Sequence, residues 1–322
     1  MHHERLSAVA FLFPGQGSQT VGMGRELAAM YPVAQHTFDE ADEALGYKLS
    51  QLCFEGPEDK LRMTEITQPA ILTVSIAAYR VLESIGMMPS FVAGHSLGEY
   101  SAHVAAGTIS FADAVRTVRN RGKYMQEAVP AGEGAMAAVL ALPIDQVRAA
   151  CDEAAAGEVC QAANINSPDQ VVISGSKGAV ERAAELCKQK GAKRAVMLPV
   201  SAPFHCALML PAQDRLSEDL QLLQFKRPAV PVMTNVDAAL ITEATQAREA
   251  LIRQVTGAVR WEESIRDLIA AGVTDFVEVG PGKVLTGLMR QIDRSKHAVN
   301  VEDEASLQKA KNHFAERTSK PE

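Results

Sequence analysis

The chain has 322 residues, 47% apolar and 22% charged, a balance that supplies a packed core and argues against disorder. The formal net charge of −7 argues against nucleic acid as the main partner, and an acidic protein partner would need a local basic patch. The five cysteines include no C-x-x-C pair, which argues against a zinc site or a disulfide framework and fits a reducing cytosol.

The opening "MHHERLSAVAFLFPGQG" lacks a leader's apolar stretch and cleavage site, and no apolar run reaches the ~18 residues of a membrane span, so neither is expected. "VAFLFPGQG" reads as a short buried strand, Val9–Phe13, ending in a glycine turn, with a helix starting near Met23. "ITQPAILTVSIAAYRVLESIG" carries helical spacing from Ile71 to Ile85, and Gly86 is placed to end it. "SFVAGHS" reads as a second buried strand, and "SFADAVRTVRNRGKYMQEAV" as a third helix. Strands alternating with helices predict an α/β fold on a mainly parallel sheet.

Pro130, Gly132 and Gly134 mark a change of composition. Beyond them the chain reads as strand Ala135–Ala141, helix Ile144–Ala156, strand Cys160–Ile165, strand Val171–Ser174, helix Gly178–Gln189 and strand Arg194–Pro199. That order, βαββαβ, is ferredoxin-like. It predicts a small domain, residues 131–199, inserted into a larger one formed by 1–130 and 200–322. Alternation then resumes, with a helix from Cys206, strand "VPVMTN", helices "TQAREALIRQV" and "WEESIRDLIAAG", strand "DFVEVG", and a charged peripheral helix from about Val301.

Gly94-His95-Ser96-Leu97-Gly98 matches G-x-S-x-G between a strand and a helix, the setting of a nucleophile elbow. Ser96 is therefore either a nucleophile beside a helix N-terminus or a helix-capping serine. A nucleophilic serine needs a base. Of the eight histidines, His2, His3, His36, His95, His103, His205, His297 and His313, the last two lie in a charged tail; His95 adjoins Ser96 but should point elsewhere, and His103 should lie on the helix surface. His205, in "LPVSAPFHCALMLPA", opens a helix after a strand at a proline turn, which makes it base or structural residue. Cys206 lacks an elbow, and Asp169 reads as a turn former. No Asp or Glu presents itself at a strand end between Ser96 and His205 to orient the base, and a backbone or side-chain carbonyl could hold the imidazole instead.

Arg121 lies beside the apolar stripe of its helix, three residues beyond Val118 and four before Met125. A partly buried guanidinium needs an anion, either a protein carboxylate or a substrate carboxylate. "PGQGSQTVGMG" is no dinucleotide loop, because Thr20 occupies the third glycine position, and "GPGKVLTG" lacks Walker spacing. The "FPGQGSQ" loop can instead offer backbone N–H groups at the sheet edge, Gln16 supplying half of an oxyanion hole.

Nine segments in order carry a resemblance over residues 8–290: "FLFPGQGSQTVGMG", "ITQPAIL", "GHSLGEYSA", "RGKYM", "NINSPDQVVISG", "PVSAPFHCALM", "PVMTNVDA", "LIRQVTGAVRWEESI" and "EVGPGKVLTGL". Together they resemble the malonyl-CoA:acyl carrier protein transacylases, acyltransferases of fatty acid synthesis. The resemblance implies a hydrolase-like α/β core with the ferredoxin-like insert. It implies Ser96 as acylated nucleophile and His205 as its base, a dyad without a carboxylate. Gln254 is implied to hold the imidazole through its carbonyl. Backbone N–H groups of Gln16 and Leu97 are implied as the oxyanion hole, Arg121 as the malonyl carboxylate clamp, and Gln68 and Asn164 as pocket lining. Phe204 stands where, in related acyltransferases, a bulky residue accompanies malonyl and a smaller one methylmalonyl. No metal or cofactor is expected, since phosphopantetheine is carried by the partner. The expected partners are malonyl-CoA and acyl carrier protein, the expected state a cytoplasmic monomer. A serine hydrolase, the main rival, should show an Asp or Glu and a late histidine, and the HGGG oxyanion motif is missing.

Overall fold

The computed structural model describes residues 8–200 and 202–318. His2, His3, Ser201 of the "PVSAPFH" motif and the outermost ends of the larger predicted domain lie outside the described residues.

Among the described residues ten strands form two sheets: β1 Ala8–Phe13, β2 Phe91–Gly94, β3 Gly134–Leu140, β4 Cys160–Ser167, β5 Gln170–Ser176, β6 Arg194–Met197, β7 Val232–Met233, β8 Leu240–Ile241, β9 Val273–Val279 and β10 His297–Val301. The first sheet has the order β10-β9-β1-β2-β7-β8 and is parallel except for the β7/β8 pair. Strand β1, "AVAFLF", is apolar throughout because both its faces are covered. Phe11 and Phe13 enter one core with Val74 and Ile76 of the helix Thr64–Ser84. Ala10 and Leu12 enter another with Trp261, Ile265 and Met289. Strand β9 divides in the same way, Val277 and Val279 to the first core, Val273 and Phe276 to the second.

The second sheet, β4-β5-β3-β6, is wholly antiparallel and carries the helices Ile144–Ala155 and Lys177–Gln189. β4 is tied to the segment between the helices Ala244–Gln254 and Trp261–Ala270. Ile165 N–H donates to the Val259 carbonyl and Val259 N–H to the Ala163 carbonyl, both at 2.8 Å.

Several expectations are corrected. The helix expected near Met23 starts at Arg25, since Gly24 at φ 76 is left-handed. The helix expected from Ile71 begins at Thr64 and carries Pro69 inside, and it ends at Ser84 with left-handed Gly86 just beyond. The helix expected from Cys206 starts as a 3-10 turn, Ala207–Met209, and becomes α-helical at Leu210. "VPVMTN" shrinks to β7, two residues paired with β8. β10 was not foreseen; its "HAVNV" gains a strand's hydrogen bonds only beside β9. His103 is fully buried rather than on a surface, because the helix Gly98–Ala105 is packed between the sheet and its helical neighbours.

Candidate active site

β1 and β2 run parallel in register, Phe13 opposite Gly94, so the loops after them leave the sheet's carboxyl edge side by side. This sets Gln16 next to the Ser96 turn. Ser96 has φ 51, a left-handed conformation that costs an L-residue on the order of 1 kcal/mol or more. The flanking glycines explain how the turn fits. A Cβ on Gly94 would lie 1.9 Å from the Gly98 backbone, and one on Gly98 would lie 2.0 Å from the Phe13 carbonyl oxygen. Strand, turn and helix therefore touch backbone to backbone. Asn235, beyond β7, fastens the turn, its Oδ1 accepting from the Ser96 N–H at 2.7 Å and its Nδ2 donating to the Gly94 carbonyl at 2.7 Å.

His205 also sits at positive φ, 59, directed back over the sheet edge by the Pro203 turn. Its Nε2 is 2.6 Å from Ser96 Oγ. Its Nδ1 is 2.9 Å from the main-chain carbonyl of Gln254. Gln254 ends the helix Ala244–Gln254, so its carbonyl has no continuing turn to bond to and is free to accept from the imidazole. The expected carbonyl is thus the main-chain one. Burial, helped by the nearby Arg121 charge, pushes His205 down to about 3 against the opposing Gln254 hydrogen bond. The ring is neutral at neutral pH. Nδ1–H donates to Gln254, which leaves Nε2 as the acceptor for the serine hydroxyl.

Arg121 is 1% exposed on the helix Phe111–Glu127. Its Nη1 donates to Gln68 Oε1 at 2.9 Å; its Nη2 donates to Gln254 Oε1 at 2.9 Å and to Ser96 Oγ at 3.2 Å. Of five guanidinium N–H groups, three have acceptors among the described residues, and none of these acceptors is a carboxylate. Nε is buried without a partner. Both Nη2 N–H groups are thus engaged, and the donors left over are the second Nη1 N–H and Nε.

A cavity of about 140 Å³ joins these groups, lined by Gln16, Gln68, His95, Ser96, Leu97, Arg121, Met125, Met136, Asn164, Leu198, Val200, Phe204 and His205. Every residue singled out in the sequence for the site lines it except Gln254, which acts from behind His205. The N–H groups of Gln16 and Leu97 have no acceptor among the described residues. Asn164 Oδ1 is buried and unpartnered at the cavity wall.

The rival residues fall elsewhere. His95 turns to Asn166 Oδ1 at 2.8 Å and packs on the Trp261 ring. The buried Cys206 thiol donates to the Pro203 carbonyl, and burial pushes its pKa up, so it stays protonated. Asp169 lies in the turn between β4 and β5. Of the late histidines, His313 Nε2 pairs with Asp275 Oδ1 at 2.9 Å and His297 opens β10 opposite Asp275. Asp275 is opposite Val9, toward the amino end of β1, away from the edge that carries Ser96. The late histidine of a hydrolase triad is thus not supplied.

Sequence reading missed two residues. Asn235 is 139 positions from Ser96 and carries no local signal. Glu99, fully buried one turn after the nucleophile, accepts from the Asn235 N–H at 3.0 Å and from Gln254 Nε2 at 2.8 Å. Its spacing, S-x-x-E, is that of a capping box, in which the carboxylate would face back toward the N-cap amide. Here the N-cap is Leu97 with no side-chain cap, and Glu99 faces inward.

The family model of the acyl transferase domain matches residues 10–320. The malonyl CoA-acyl carrier protein transacylase of Bacillus subtilis (strain 168) is 52% identical over 306 residues, 95% of this chain and 96% of that protein. Among solved structures, the acyl carrier protein S-malonyltransferase of Vibrio cholerae superposes with a TM-score of 0.93 at 51% identity, covering 94% of this chain and 100% of that one. A malonyl-transacylase solved in complex with its type II PKS acyl-carrier protein reaches 0.93 at 49% identity, covering 95% and 100%. This chain, an acyltransferase by its family model, belongs to the family of the malonyl CoA-acyl carrier protein transacylases.

Proposed function

We propose that the chain moves a malonyl group from malonyl-CoA to the phosphopantetheine thiol of acyl carrier protein, through a malonyl ester on Ser96, and so supplies fatty acid synthesis. The observation that carries this reading is Ser96 Oγ held between His205 Nε2 at 2.6 Å and Arg121 Nη2 at 3.2 Å in one cavity. His205 takes the hydroxyl proton as Oγ attacks the thioester carbon. The Gln16 and Leu97 N–H groups receive the oxyanion, and one such donor is worth about 2.7–4 kcal/mol. The C–S bond breaks, and the proton on Nε2 passes to the leaving CoA thiolate. In the second half His205 deprotonates the carrier thiol, which attacks the ester; the C–O bond breaks and the proton on Nε2 returns to the Ser96 oxygen. Arg121 grips the malonyl carboxylate throughout with its free donors, while Gln68 fixes the guanidinium. Asn164 Oδ1 is an acceptor for the acyl donor. Phe204 fills the space an α-methyl would need, a steric difference worth about 1–3 kcal/mol. No metal or cofactor enters these steps.

The order of the second sheet, with its two helices on the strand pattern βαββαβ, supports reading 131–199 as an inserted ferredoxin-like unit within the core of 1–130 and 200–322. We place the protein in the cytoplasm as a monomer. The five cysteines are free thiols, and no helix among the described residues is long and apolar enough to cross a membrane. The sequence offers a carrier two basic clusters, Lys188, Lys190, Lys193 and Arg194 in the insert and Lys283 and Arg290 near the C-terminal turn; Lys188, Lys190 and Lys283 are engaged by Glu185, Glu153 and Glu302, whereas Lys193 and Arg194 pair with no carboxylate among the described residues. Arg290, Arg294 and Lys296 line a common hollow and pair with no carboxylate among the described residues. With three cations gathered in one hollow, this is the local patch we favour for an acidic partner. A type II PKS carrier serves one relative, so a panel of carrier proteins separates the two pathways.

Mixed with malonyl-CoA alone, the chain is expected to release about one equivalent of CoA and stop, resuming when carrier protein is added. Continued CoA release without an acceptor would make it a hydrolase.

A further inference from the structure

The dyad is held by two residues, and both are held by Glu99. Asn235 clamps the Ser96 N–H and the Gly94 carbonyl, and its own N–H donates to Glu99 Oε2 at 3.0 Å. Gln254 sets its main-chain carbonyl on His205 and its side-chain Oε1 on Arg121, while Nε2 donates to the Ser96 carbonyl at 2.9 Å and to Glu99 Oε2 at 2.8 Å. A primary amide has one accepting and one donating end. With a guanidinium on one side and a carboxylate on the other, the Gln254 amide has one permitted orientation; flipped, each end would meet its own kind.

Building on the acyl-transfer reading, we propose that Glu99 is a positioning residue for the reaction. It acts through Gln254 and Asn235 to fix the His205 tautomer and the Ser96 turn, and supplies from behind the dyad the carboxylate a triad places directly on the imidazole.

The groups facing Glu99 are Arg121, whose charge favours its ionised form, Asp237, which opposes it, and His103, whose Nε2 is 4.0 Å from Oε1. Tyr100 and Arg253 also feel its charge. Oε1 and both His103 ring nitrogens are buried without hydrogen-bond partners, so Oε1 is the atom left to take a proton. Burial lifts Glu99 to about 7, against its hydrogen bonds from Gln254 and Asn235, whereas His205 lies at about 3. An ionisation near neutrality therefore belongs to this carboxyl, not to the catalytic imidazole.

The test is single-turnover formation of malonyl-Ser96 in the full-length chain, followed against pH. Glu99→Gln keeps the shape and removes the charge. It is expected to slow acylation about 10–100-fold, the scale of one hydrogen bond to an ion. The malonyl-CoA concentration at half-maximal rate should change by less than about twofold, as for a group that acts on the chemical step. The wild-type rate should fall as the pH drops through about 7, and this limb should vanish in Glu99→Gln. Wild-type acylation in the variant, a loss confined to substrate affinity, or a limb that survives the substitution overturns the proposal. If Glu99→Gln lacks a cooperative melt, the wild type carries the test: the infrared C=O band of a buried carboxylic acid must titrate with the midpoint of the acylation rate, and separate midpoints overturn the assignment. A wild type that never acylates removes the reaction itself, and the acyl-transfer reading falls with the proposal.

Discussion

Replacing His205 with alanine is expected to lower kcat/KM for malonyl transfer by about 10⁴-fold or more, the scale seen when one member of a nucleophile–base unit is removed. The reason lies in the neutral imidazole. Its Nδ1–H is committed to the Gln254 carbonyl at 2.9 Å, so Nε2 is the base aimed at Ser96 Oγ at 2.6 Å. No other histidine among the described residues is hydrogen-bonded to Ser96. His95 is bonded to Asn166, and His103 is sealed inside the helix layer. Because the two residues act on one proton, His205→Ala combined with Ser96→Ala should be no worse than either alone. Steady-state rates with malonyl-CoA and carrier protein check this; a loss below about tenfold would remove His205 from the chemistry.

Arg121→Ala should cost malonyl transfer about 10²–10⁴-fold, from two lost charge-assisted contacts of about 1.5–3 kcal/mol each. Acetyl-CoA, which has no carboxylate, should lose much less, so the malonyl-to-acetyl ratio of kcat/KM collapses. Some loss will be common to both substrates, since Gln68 Oε1 and Gln254 Oε1 each lose their donor. Arg121→Lys separates the two effects. It keeps a charge but loses the planar fork, and should restore only part of the malonyl preference. An unchanged malonyl-to-acetyl ratio in Arg121→Ala would contradict the clamp.

The parts of this site differ in how far the sequence disclosed them, for physical reasons. The elbow was readable because two backbones cannot approach within contact unless Gly94 and Gly98 lack side chains. Arg121 was readable because a guanidinium beside an apolar stripe, and so partly buried, is costly without an anionic partner. His205 was recognisable only as a histidine at a proline turn, 109 residues from its serine. The Gln254 atom that holds His205 is a main-chain carbonyl, which any residue type could supply, so only the family resemblance pointed to it. Glu99 was concealed by its own spacing, which imitates a helix cap, and by an expectation that an orienting carboxylate follows the nucleophile at a strand end. His103 was misplaced because a helix of small residues, buried on all sides, has no polar face to reveal its orientation. β10 is a short edge strand whose residues become a strand only when β9 supplies the partner. The helices of the second sheet were within a residue of their predicted bounds, since their apolar faces repeat cleanly.

The most direct measurement is the mass of the intact chain after incubation with malonyl-CoA and no acceptor. Wild type should gain one malonyl group, localised by peptide mapping to Ser96, and Ser96→Ala should gain none. An unmodified wild type, or equal labelling of the Ser96→Ala chain, would contradict a serine-borne acyl transfer.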